Sequence, residues 1–245
     1  MRFSLPKINW IGGVLLACLM GSDEAVAQQA STVPQAGADT RMGIPFPGNK
    51  KLRDHIQSPL FRTIMDGDTI AAVDLINKGA DVNEKLGNSV TPLMVAASMG
   101  QTSVVQSLLL KGADVTATNC QGRTALMLAA LKESDEVVPL LLKAGAKVNF
   151  QDARGVTPLM CAVMSGKTDI VECMLMAGAE VNVQDQEGQT ALILAISSRF
   201  EQAAALLLAQ RADPLLKNKH ELTAMDYARI GRNQKFTDIL IKYQK

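Results

Sequence analysis

The chain has 245 residues, 47% hydrophobic but only 4% aromatic, so any sizeable core is built from Leu, Ala, Val, Ile and Met. Small aliphatic side chains suit closely packed helices better than sheets, which favour β-branched and aromatic residues, and an all-α class is expected. With 25 Lys+Arg against 24 Asp+Glu, the whole chain carries no electrostatic footprint for nucleic acid or an anionic membrane, and neither is expected as a partner.

Residues 1–27 carry Arg2 and Lys7, an apolar stretch from Ile8 to Met20 that holds the single tryptophan Trp10, and Ala25-Val26-Ala27 before Gln28. This is the three-part pattern of a bacterial-type secretory signal, with small residues where the peptidase needs them. The apolar stretch is short for a bilayer span, so no membrane insertion is expected once the signal is removed after Ala27. Leu15-Leu16-Ala17-Cys18 resembles a lipobox, and lipidation at Cys18 is the alternative. Against it, the apolar run continues through Leu19 and Met20 and the Ala-Val-Ala site follows at a suitable distance. The expected location is the periplasm, or the medium, reached through a cleavable signal.

Residues 28–52 hold three prolines, few large apolar side chains and no period, and read as a flexible linker. The short basic cluster Lys50, Lys51 and Arg53 is read as solvated surface of that linker.

From residue 53 the chain repeats. Thr91, Thr124, Thr157, Thr190 and Thr223 are each 33 residues apart, and one further step back lands on Ser58. A second column, Gly79, Gly112, Gly145 and Gly178, keeps the same interval in GADVN, GADVT, GAKVN and GAEVN. Two columns in register define a modular array. Each Thr stands where a helix begins and its hydroxyl can accept from an orphan amide. Pro92 and Pro158 follow at the first helical position, where a missing N–H costs nothing. Alanine pairs such as Ala96-Ala97 and Ala129-Ala130 keep the first helix thin; runs such as Val104-Val105 with Leu108-Leu109 carry the second. The glycines supply the left-handed residue that ends it.

T-P-L or T-A-L, the alanine pairs and G-A-x-V-N together resemble the ankyrin repeat family over residues 58–245. The resemblance implies an all-α solenoid of about six 33-residue helix-loop-helix units with β-hairpin-type loops. The repeat domain is placed at 53–245, with units starting near 53, 86, 119, 152, 185 and 218. Units one and six are expected to be caps. Several departures are visible. Arg211 replaces the glycine of the fifth unit, at an expected cost of about 1 kcal/mol if the left-handed conformation is kept. Pro139 falls about one turn into a second helix, and is expected to bend it or delay its start. The loop before Thr91 has Leu86 and Ser89 where others have Asp or Asn and Gly, and the loop before Thr223 has Glu221. The histidine that often follows T-P-L in the family is Met94, Met127, Met160 or Ile193 here.

No catalytic constellation is found. The two histidines, His55 and His220, are far apart in an array where only neighbouring units touch, so no shared metal or proton relay is expected. No motif for a nucleophilic serine, a phosphate loop or a zinc helix occurs, and no cofactor is expected. After signal removal the cysteines are Cys120, Cys161 and Cys173. Cys161 and Cys173 read as buried free thiols. Cys120, at a loop tip, is a candidate reactive thiol for pairing with another molecule.

In the family the concave face, made by loop tips and first helices, binds proteins. Carried over column by column, this face comprises Asn88, Val90, Ser98 and Met99 in unit two and Cys120, Gln121, Arg123, Leu131 and Lys132 in unit three. Unit four adds Arg154, Val156, Met164 and Ser165; unit five Gln186, Glu187, Gln189 and Ser197; unit six Lys219, His220, Leu222 and Ile230. Apolar anchors among bases and amides suit a protein-binding surface. The expected function is a non-catalytic exported scaffold for a periplasmic protein, acting to assist an enzyme, neutralise a toxin or organise the envelope. A secreted effector that binds host proteins is the alternative. A monomer is expected.

Overall fold

The computed structural model describes residues 57–132 and 134–243; the signal segment, the linker, its basic cluster and His55 lie outside them. Among the described residues the chain forms twelve α-helices in six pairs: α1 Pro59–Asp66 and α2 Thr69–Asn77, α3 Pro92–Ser98 and α4 Thr102–Leu110, α5 Ala125–Leu131 and α6 Val137–Lys143, α7 Pro158–Ser165 and α8 Thr168–Met176, α9 Ala191–Ser197 and α10 Glu201–Ala209, α11 Ala224–Ile230 and α12 Gln234–Tyr243. First helices pack on first helices of adjacent units, and second on second, giving two layers.

Hydroxyl caps set the start of every first helix. Ser58 accepts from the Phe61 amide, and Thr91, Thr124, Thr157, Thr190 and Thr223 each accept from the amide three residues on. Thr223 and Asp226 close a reciprocal capping box. The first helices are almost wholly buried, from Pro92 to Ala97, Ala125 to Ala130 and Ala191 to Ile196, which is why small and unbranched residues dominate them. Second helices bury one side only, for instance Val104, Val105 and Leu108 of α4.

The left-handed turns after the second helices occur as expected. Gly79, Gly112, Gly145 and Gly178 have φ of 93°, 85°, 93° and 85°. Beyond each, the next amide reaches back to the helix, as from Ala80 to Leu75 O at 3.0 Å. Arg211 keeps the conformation at φ 63°. Pro139 delays its helix: α6 starts at Val137 and has seven residues, where α4, α8 and α10 have nine. At the third helical position the proline's missing N–H has no intrahelical acceptor to lose.

The expected β-hairpin loops are tighter than strand pairs. Among the described residues the only bridge is Leu86 with Val90. Each later loop is wound around one side chain instead. Asn119 Oδ1 accepts from the amides of Gln121 and Arg123, Asp152 Oδ1 from Arg154 and Val156, Asp185 Oδ1 from Glu187 and Gln189, and Asn218 Oδ1 from His220 and Leu222. Only a short side chain with a fixed acceptor folds back this way.

Candidate partner-binding face

The loop tips are joined into a row by one backbone bond per unit. The amides of Cys120, Ala153, Gln186 and Lys219 donate to the carbonyls of Asn88, Gln121, Arg154 and Glu187 at 2.8 to 3.0 Å. Glycine is required where the loops wound around Asn119, Asp152 and Asp185 stack: a Cβ on Gly122 would lie 2.7 Å from Ala153 N, and one on Gly188 would lie 2.8 Å from Asn218 Cα. The loop of unit two follows another path, with Asn88 and Ser89 both left-handed at φ 63° and 58°, and carries a serine in this column. A first helix of seven or eight residues then separates the tips from the far edge by about 10 Å. The face between these two edges is fixed by hydrogen bonds on one side and helix packing on the other.

Not every residue carried over to this face reaches it. Val90, Arg123 and Gln189 are buried, which corrects their assignment: they seal the seams between units. Arg123 Nε contacts Asp152 Oδ2 of the next unit at 3.3 Å, both side chains enclosed. Gln189 Nε2 donates to the Tyr227 hydroxyl at 3.4 Å, and Asn218 Nδ2 donates to the same oxygen at 2.9 Å. Burial raises the Asp185 carboxyl, while the Gln189 and Glu187 amides pull it the other way. The rest stay accessible. Asn88, Cys120, Gln186, Glu187, Lys219 and His220 are exposed; Ser98, Met99, Gln121, Leu131, Lys132, Arg154, Val156, Met164 and Leu222 are half-buried.

Sequence reasoning overlooked the asparagine ending G-A-x-V-N. Asn83 Nδ2 donates to Gly112 O at 3.0 Å and its Oδ1 accepts from Asp114 N at 2.8 Å. Asn149 and Asn182 make the same two-point staple to the following unit. The signal was a third column at the repeat interval, broken by Thr116 and Leu215.

The cysteines divide by environment. Cys161 is buried on α7 and burial pushes its thiol up to about 12, although the Arg123 cation pulls the other way. Burial also raises Cys173, which is part-exposed on α8. Cys120 is exposed at a loop tip.

The ankyrin-repeat family profile, described as three copies, matches residues 60–152, 115–185, 135–218 and 159–245. The chain is an ankyrin repeat protein. Its repeats make it a scaffold for protein–protein interaction, of a family that is typically non-catalytic. No curated protein matches the chain. In this ankyrin stack no group of three or more His, Cys, Asp or Glu is placed to hold a metal among the described residues.

Proposed function

We propose that this ankyrin protein is an exported, non-catalytic binding scaffold that holds a folded periplasmic protein on the face between loop tips and first helices. The observation that supports the reading is a separation of roles between positions of the repeat. Arg123 and Val90 are buried in the seams, while Met99, Leu131 and Met164 emerge half-exposed at the ends of first helices, across the face from the polar tips. Apolar side chains held partly out of a well-sealed stack give a partner anchors, and amides and cations around them give orientation. The signal-like residues 1–27 support export, and Cys120 at the tip row offers a thiol for a mixed disulfide with the partner.

The test uses protein beginning at Gln28 as bait in a periplasmic extract, beside the double variant Leu131→Asp, Arg154→Glu. A stoichiometric partner retained by the first and lost by the second supports the reading. Equal retention by both removes the face from consideration. Cell fractionation checks export, and mature protein in the medium would shift the reading to a secreted effector.

A further inference from the structure

The turns that join first to second helices change character along the chain. Gly67, Gly100 and Gly166 occupy the left-handed position at φ 76°, 68° and 75°. In units five and six the same position holds Arg199 and Arg232, at φ 63° and 49°. A side chain with a Cβ is strained in that region and glycine is not. Gly166 has a steric reason, since a Cβ there would lie 2.9 Å from the Phe200 ring. The two arginines therefore place cations on the edge of the face at a cost in backbone energy.

They also lie together. Arg199 Nη2 donates to the Gly231 carbonyl at 3.5 Å, which brings its guanidinium to the turn carrying Arg232. Beside them Ile230 is 57% exposed. Its column is part-exposed in units two to five as Ser98, Leu131, Met164 and Ser197, so it belongs to the open face rather than to a stacking surface. Residues 218–245 hold six Lys+Arg against three Asp+Glu, in a chain whose net charge is +1.

We propose that Ile230, Arg199 and Arg232 form a docking point for an acidic, amphipathic segment of a protein partner, one apolar side chain seated on Ile230 and carboxylates on the arginines. This rests on the reading of the face as a protein-binding surface and names the partner's chemistry at one end of it. A polyphosphate backbone or an anionic lipid surface fits less well. A neighbouring carboxylate breaks the positive field, Glu201 engaging Lys235 at 3.4 Å, and the exposed Ile230 requires an apolar counterpart.

The test measures fluorescence anisotropy of a labelled peptide of glutamates interspersed with leucines, titrated with protein beginning at Gln28, at low and high salt. The variants are Arg199→Gly with Arg232→Gly, and Ile230→Glu. Glycine relieves the left-handed strain, so the arginine pair variant is expected to melt no lower than wild type while binding about tenfold more weakly. High salt is expected to weaken wild-type binding and leave the pair variant little changed. A lysine-leucine peptide is expected not to bind. Absence of binding to the acidic peptide, equal affinity of wild type and pair variant, or tighter binding of an RNA oligomer or a phosphatidylglycerol vesicle would each overturn the proposal. A captured partner lost by Leu131→Asp, Arg154→Glu but retained by the arginine pair variant would also overturn it, leaving the wider face assignment intact.

Discussion

Two adjacent seams, built from the same repeat phrase, are joined very differently. Units three and four are held by the loop bond from Ala153 N to Gln121 O, the enclosed Arg123–Asp152 pair and the three bonds of Asn149 to Gly178 and Glu180. Units two and three share the loop bond from Cys120 N to Asn88 O, Ser134 Oγ donating to Ala97 O at 3.1 Å, and Thr102 Oγ1 donating to Glu136 at 2.9 Å. Their asparagine staple is missing. Thr116 turns its amide and hydroxyl onto Asp114 of its own unit, at 2.8 and 2.7 Å. On the same seam α4 packs against α6, the helix shortened around Pro139. Because a repeat array's stability is a sum of unit and seam terms, cohesion here is set by the few residues that reach across.

The largest effect is expected at the stronger seam. Asp152→Ala strands Arg123 without its counter-charge and removes the acceptor that winds the loop, so urea unfolding should show a loss of about 3–5 kcal/mol. Replacing Arg123 and Asp152 together with apolar residues should cost much less than the single change, and an equal cost would mean the pair is not what joins these units. Asn149→Ala removes three exposed hydrogen bonds to the next unit and should cost about 1–2 kcal/mol. At the weaker seam Thr116→Asn should install the missing staple, adding about 1 kcal/mol and slowing amide exchange in units one and two. No change on that substitution would show that something other than the staple limits the seam.

The smallest effect is an acid one. Hydrogen bonds from Thr223 hold the Asp226 carboxyl below its ordinary value of 3.8. The folded form therefore favours the ionised group. The capping contribution is complete above that pH and is lost as acid carries the group through its lower folded value. Acid titration of the wild type should show fraying at α11, and Asp226→Asn should remove that pH dependence.

What was legible in the sequence was the chemistry each unit needs for itself. Thr124 begins a helix and Gly145 ends a turn using only neighbours in the chain, so their columns declared the helices, their bounds and the family. Arg123 and Val90 were misplaced for the opposite reason. Their positions beside the loop tips resemble surface, and only the neighbouring unit, packed against them, encloses them. The seam staples were written in the sequence as Asn83, Asn149 and Asn182, but their meaning depends on carbonyls and amides some thirty residues away. The left-handed Arg199 and Arg232 carried no signal in composition, because an arginine elsewhere on a helix end is ordinary.

The stacking of loops has a consequence for how such a chain lengthens. Glu221 adopts φ 60° where Gly122, Gly155 and Gly188 stand in the earlier loops, and among the described residues no further loop lies against it. Copied inward, that unit would drive a Cβ into the backbone of the loop after it, at the sort of separation a Cβ on Gly188 would meet from Asn218. Duplication of units three, four or five keeps a glycine at each such stacked turn, whereas a copy of unit six must first lose its glutamate. The repeats are alike in outline yet not interchangeable, because the last unit lacks the glycine on which a following loop of this kind would rest.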